Sequence, residues 1–132
     1  MDACLSRRPW VYYVLPPLAW MGLIYALSAQ PSLPEAPGPL IDFILKKGAH
    51  MAGYAALMAL VWRALAYGSR AARWGQSASL VIAWTVTVLY AISDEVHQTF
   101  VPGRSGRPRD VLIDACGALL AGVVLWAARR PR

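Results

Sequence analysis

WVYYVLPPLAWMGLIYALSA, residues Trp10 to Ala29, runs for twenty residues without a charge. A helix crosses the ~30 Å hydrocarbon core of a bilayer in about 20 mostly apolar residues. Three further blocks share this character. Leu45 to Tyr67 is apolar apart from Lys46, Lys47 and His50 at its start and Arg63 near its end. Ser77 to Ile92 is sixteen uncharged residues, which reach spanning length only by running on into Ser93-Asp94-Glu95. Val111 to Ala128 carries one charge, Asp114. Only helices and closed barrels cross a hydrocarbon layer, and no block alternates with period two. The pattern predicts an all-α, polytopic membrane protein with four transmembrane helices over about 10–29, 45–67, 77–97 and 110–128.

Composition agrees. In 132 residues, 58% are hydrophobic and 15% are charged, against about 25% charged in a soluble domain. So small a chain, one domain over 1–132, could not hide that much apolar surface from water. Cys4 and Cys116 are the only cysteines, which excludes a disulfide framework. They fall toward opposite faces, and Cys116 is expected to be a small packing residue. A secretory signal peptide is excluded as the reading of the first block, because its apolar run exceeds the ~7–15 residues of a signal core and three more spans follow. Pro16-Pro17 inside it is expected to kink the helix.

The links are short. Gln30 to Phe43 holds Pro31, Pro34, Pro37 and Pro39, which predicts a non-helical, semi-rigid connector. Residues 68–76 form a basic link, and 98–109 carry the turn signals Pro102-Gly103, Ser105-Gly106 and Pro108. Short links favour an up-down-up-down bundle. With the N-terminus inside, the inner face holds Arg7, Arg8, Arg63, Arg70, Arg73, Arg129, Arg130 and Arg132, against Lys46, Lys47, Arg104, Arg107 and Arg109 outside. Cytoplasmic loops carry the excess of Lys and Arg, so N-in and C-in is expected. The net charge of +6 then belongs to inner-face charges that suit anionic lipids, and nucleic acid is excluded as a partner. Six of the seven acids, all except Asp2, fall on the outer side. Trp10, Tyr12, Tyr13, Trp62, Tyr67, Trp74 and Trp126 read as an interfacial belt, and Met21, Met51 and Met58 as packing.

The polar residues gather at one end. Lys47, His50 and Tyr54 at i, i+3 and i+7 share a face of the second helix. The third helix ends in Ser93-Asp94-Glu95-Val96-His97-Gln98, with Asp94 and His97 at i, i+3 and Asp94 and Gln98 at i, i+4. On the fourth helix Asp110, Asp114 and Gly117 share a face, as do Gly117 with Ala121 and Ala118 with Gly122; such small residues let helices approach closely. Asp110 suits a helix N-terminus. Asp114 lies a turn deeper and must find a partner. Arg104 is the expected bidentate partner for a carboxylate. Asp94, Glu95, Asp110 and Asp114 outnumber Lys47 and Arg104, and ionisable residues inside a membrane are functional by default.

The segments Lys47-Gly48-Ala49-His50-Met51-Ala52-Gly53-Tyr54 and Ser93-Asp94-Glu95-Val96-His97-Gln98 through Pro102-Gly103-Arg104, Asp110, Asp114, Gly117 and Gly122 resemble the VanZ-like family of small bacterial membrane proteins. The resemblance runs from about Lys46 to Gly122, and the four-span layout extends it over nearly the whole chain. It implies an accessory role in the cell envelope, with the family's association with resistance to glycopeptide antibiotics. An acid often stands in the family where Arg107 is here, so no family role is carried to Arg107. Asn often stands at the position of Asp114.

Four functions fit these residues. An outward cluster of Lys47, His50, Tyr54, Asp94, Glu95, His97, Gln98, Arg104, Asp110 and Asp114 could bind an anionic lipid or lipid-linked headgroup. The same acids and histidines could serve a membrane-embedded hydrolase or phosphoryl transferase, with a divalent cation as its one conceivable cofactor. Buried acids and histidines also make proton relays in carriers, although four spans leave little room for alternating access. Last, the cluster could be a structural staple. Membrane lipid, a second copy of the chain and an envelope protein are the candidate partners.

Overall fold

The computed structural model describes residues 9–68 and 75–129. Four helices make up the fold: α1 (Pro9–Ser28), α2 (Pro39–Gly68), α3 (Gln76–Gln98) and α4 (Pro108–Ala128). Each is long and apolar enough to cross a membrane, and no strand occurs among the described residues. Met1 to Arg8 (with Asp2, Cys4, Arg7 and Arg8), the link residues Arg70, Arg73 and Trp74, and Arg130 and Arg132 lie outside the described residues.

The helix ends fall within two residues of the expected bounds, with one larger correction. The connector expected to reach Phe43 ends at Gly38, and 39–43 form the first turn of α2. Pro39 occupies the first helical position, where its missing N–H would have had no partner anyway. Asp42 completes that turn: its carboxylate accepts the Ala36 N–H at 3.0 Å and pairs with Lys46 at 2.7 Å, one turn on. An acid in the first turn also suits the positive end of the helix dipole. α1 runs unbroken through Pro16 and Pro17.

The helices alternate in direction, so the end of α1, the start of α2, the end of α3 and the start of α4 meet at one end. The bundle is not square. α2 packs most extensively against α4, its parallel neighbour, and both contact α3; α1 lies on α2 with only a slight contact to α3. Gly117 explains the α2–α4 approach. A Cβ there would stand 2.5 Å from the Met51 carbonyl oxygen and 3.0 Å from its Cα. Gly122 faces the tip of Met58, and Ala118 is fully buried. Ala121 packs against the buried core from a partly exposed position.

The interior follows membrane logic. Its core combines Tyr54, Leu57, Met58, Val61 and Trp62 of α2 with the small residues Ala83, Ala91 and Ala118. Large aliphatics such as Leu18, Val81, Leu89, Leu112 and Val124 point outward, where lipid is as good a solvent as protein. Buried hydroxyls are satisfied locally: Thr87 donates to the Ala83 carbonyl and Ser79 to that of Gly75. Three ring donors tie helices together, Trp20 to the Gly53 carbonyl at 2.9 Å, Tyr90 to that of Met21 at 2.6 Å and Trp84 to that of Ala115 at 3.3 Å.

Two expectations for individual residues are corrected. Cys116 is exposed, not packed, because it sits on the opposite side of α4 from Gly117 and Ala118. Trp62 sits at the aromatic end beside Tyr67 but is buried within the bundle instead of facing outward. The rest of its neighbourhood does form an aromatic end opposite the acidic one. The guanidinium of Arg129 lies 4.4 Å over Trp62 and that of Arg63 4.8 Å over Tyr12, while Tyr13 stacks on Tyr67.

Candidate functional site

Two parallel rungs join α2 to α4. At the rim, the Lys47 ammonium meets the Asp110 carboxylate at 2.6 Å. About a turn deeper, His50 Nδ1 stands 3.5 Å from Asp114 Oδ1. Asp114 is 1% exposed, and neither of its carboxylate oxygens accepts a hydrogen bond among the described residues. Each rung links the residue pair that the i, i+3 spacing on α2 and the i, i+4 spacing on α4 carry to the same level. In the next contact down, Met51 against Gly117, the two backbones leave no room for a Cβ on Gly117.

A second group forms around Asp94 of α3. Its Oδ2 accepts from Ser28 at 2.9 Å, Tyr54 at 3.1 Å and Gln98 at 3.2 Å. Its Oδ1 is buried without a hydrogen-bond partner. No cation pairs with Asp94 among the described residues. Hydrogen bonds to a charged acceptor are roughly twice as strong as neutral ones, so three of them can hold a carboxylate that has no ion pair. Ser28 was not among the expected site residues. A single serine at the end of an apolar block carries little signal, and only the return of the chain at Pro31–Pro39 brings it to this end.

Arg104 departs from expectation. It pairs with no carboxylate among the described residues. Nε donates to the Gln30 carbonyl at 3.0 Å, Nη2 to that of Leu27 at 3.5 Å and Nη1 to Gln98 Oε1 at 3.3 Å. Two of its acceptors are at the C-terminal end of α1, where unsatisfied carbonyls and the negative end of the dipole attract a cation. Through Gln98 it touches the Asp94 group indirectly.

Glu95 and His97 also part from the cluster. Glu95 accepts the backbone N–H of Arg107, the residue that precedes α4. It thus fastens the α3–α4 loop, which lies so close that a Cβ on Gly106 would meet the Glu95 carbonyl oxygen at 2.6 Å. His97 stacks on Tyr25 of α1 with ring centres 4.4 Å apart. No ion pair or hydrogen bond joins it to the acids among the described residues. Positions i and i+3 differ by some 60° around a helix, enough to turn His97 away while Asp94 faces inward. Among the described residues no three His, Cys, Asp or Glu side chains are grouped to hold a metal ion; the acids are distributed over separate partners.

Two adjoining cavities open at this end. One, of about 610 Å³, is a polar basin walled by Lys46, Lys47, Arg104, Arg107 and Arg109 against Glu35, Asp42 and Asp110. Asp42 and Asp110 are already paired with Lys46 and Lys47. Arg107 and Arg109 are exposed and have no carboxylate partner among the described residues. The other cavity, of about 620 Å³, is a mostly apolar groove between α1 and α2. The two share Leu33, Asp42, Lys46, His50 and Arg104 as walls.

These features define a multi-pass, all-helical membrane protein whose acids and histidines, among the described residues, gather at one end of the bundle. The chain belongs to the VanZ/LLP1 family, whose match spans residues 5–129. No curated protein and no solved structure matches the chain significantly.

Proposed function

We propose that this VanZ-family protein binds an anionic lipid or lipid-linked headgroup in the polar basin. The observation that carries the reading is the charge of the basin walls. Once Lys46 and Lys47 are matched with their acids, Arg104, Arg107 and Arg109 face a single carboxylate, Glu35. Arg104 spends three N–H groups on the protein and retains two; Arg107 and Arg109 have no carboxylate partner among the described residues, and although Arg109 lies 6.0 Å over the Phe43 ring, both keep N–H groups for a phosphate, which a guanidinium recognises bidentately. Lys47 and His50 serve the site by holding α4 in register.

The excess of basic residues at the opposite end supports an orientation with the basin on the outer side of the bacterial cytoplasmic membrane. A cysteine in place of Ser105, in a chain otherwise free of cysteine, would then react with a membrane-impermeant thiol reagent added to intact spheroplasts. Reaction only after lysis would reverse the assignment.

The binding test is native mass spectrometry of protein released from bilayers of equal phosphatidylglycerol and phosphatidylcholine. The wild type is expected to retain the anionic lipid preferentially, and the Arg107→Ala/Arg109→Ala double variant to lose that preference. Equal retention of both lipids by the wild type would sink the reading.

One contact favours a second reading, a membrane-embedded hydrolase or phosphoryl transferase. His50 lines both cavities, and its Nδ1 is committed to the buried Asp114. That arrangement leaves Nε2 to exchange a proton with a substrate. A retained lipid that comes back with its headgroup intact after prolonged incubation with the wild type would exclude this chemistry for that lipid. Turnover abolished by His50→Gln with binding preserved would establish it.

A further inference from the structure

The apolar groove between α1 and α2 is walled by Leu23, Ile24 and Leu27 on one side and by Ala49, Gly53 and Ala56 on the other. The α2 residues fall at i, i+4 and i+7, one helical face. They are all small, so α1 and α2 leave a trough between them where larger side chains would have met. A Cβ built on Gly53 touches nothing within 4 Å. Trp20 fastens the two helices by its bond to the Gly53 carbonyl without filling the space.

A trough of about 620 Å³ within spanning helices must be filled by something. Water needs two to four polar partners, which its lining does not supply below the rim. The surrounding fluid is hydrocarbon. Along α2 the lining begins at Asp42 on the rim, and its apolar residues run from Leu45 to Ala56, a rise of about 16 Å. That is close to half of the ~30 Å hydrocarbon core, the depth of one leaflet. At its polar end the trough shares five wall residues with the cation-rich basin.

We infer that the groove receives a hydrocarbon chain of the same molecule whose anionic headgroup occupies the basin, so that the ligand is a long-chain amphiphile entering sideways from one leaflet. This rests on the headgroup reading above and narrows it: a free phosphate or a soluble anion would use only half of the site.

The test is Gly53→Leu, which places a side chain in the open trough and raises helix propensity. The probes are phosphatidylglycerols with acyl chains of 8, 12 and 16 carbons, read by native mass spectrometry. Wild-type retention is expected to rise with chain length. Gly53→Leu is expected to lower retention of the 16-carbon lipid at least tenfold and to flatten the length dependence. Ala49→Leu, at an exposed position of the same wall, should act likewise and guards against a folding defect in the first variant. Gly22→Leu, equally open but outside the groove, should change nothing. Wild-type retention in both Gly53→Leu and Ala49→Leu would overturn the groove assignment while leaving the headgroup reading standing. Loss of long chains in those variants from a wild type indifferent to headgroup charge would instead overturn the headgroup reading and leave the groove as a chain site.

Discussion

Gly117 and Met51 meet backbone to backbone: a Cβ on Gly117 would lie 2.5 Å from the Met51 carbonyl oxygen. Neither backbone can yield without moving a helix, and both the Lys47–Asp110 and the His50–Asp114 rungs lie just above this contact. Gly117→Ala is therefore expected to destabilise the bundle by about 1–3 kcal/mol, the usual cost of overpacking, and to weaken the His50–Asp114 contact. Gly122→Ala meets only the flexible end of Met58, at 3.2 Å, and should be near neutral. Thermal unfolding of both variants in one detergent checks the contrast; equal losses would refute the close-approach argument.

Asp94 serves as the common acceptor for three helices. Asp94→Ala would leave Ser28, Tyr54 and Gln98 facing an absent partner, and each orphaned buried donor costs about 1–3 kcal/mol. Asp94→Asn keeps an acceptor in place and should cost far less, and Tyr54→Phe should fall between them. A thermal ranking with Asp94→Asn as the most harmful of the three would show that the charge, and not the hydrogen bonding, is what the bundle requires.

Arg104 caps α1, and a lysine cannot reach the Gln30 and Leu27 carbonyls and Gln98 together. Arg104→Lys should retain the favourable charge at the helix end yet loosen its last turn. Amide exchange at Ala29 and Gln30, whose N–H groups bond to Tyr25 and Leu27, is expected to rise roughly tenfold, equivalent to ~1.4 kcal/mol. Unchanged exchange there would mean that the connector prolines alone hold this end.

At the opposite end, Arg63 and Arg129 rest on aromatic faces and have no acid partner among the described residues. Replacing either by Met keeps the apolar stem and removes the cation. Each change should lower stability by about 0.5–1 kcal/mol. The stacked Tyr13–Tyr67 pair connects the two arginines, so the double variant should be non-additive. Strict additivity in chemical unfolding would show two independent contacts.

Asp114 is buried, with His50 3.5 Å away and no hydrogen bond to either carboxylate oxygen among the described residues. Asp114→Asn removes a charge whose burial is expensive and keeps a polar group facing His50. It is expected to be as stable as the wild type or more so. A loss of more than ~2 kcal/mol in equilibrium unfolding would show that ionisation of this residue holds α2 against α4.

The four spans, their alternation and the end at which the polar residues gather were legible in the chain alone. Hydropathy is summed over some twenty residues, and a membrane leaves a helix as the only way to satisfy that length of backbone. The face shared by Lys47, His50 and Tyr54, and that shared by Asp110, Asp114 and Gly117, also follow from helical spacing alone. What spacing cannot convey is how each helix is rotated and which neighbour it touches. Packing settled that: Gly117 admits α2 against α4, and this pairs Lys47 with Asp110 and His50 with Asp114. The same packing sends Arg104 to carbonyls, turns His97 onto Tyr25, brings in Ser28 and opens the groove beside Gly53. Partners at one level of a bundle are decided by shape at the helix contacts, a property of the assembled surfaces and not of any segment taken singly.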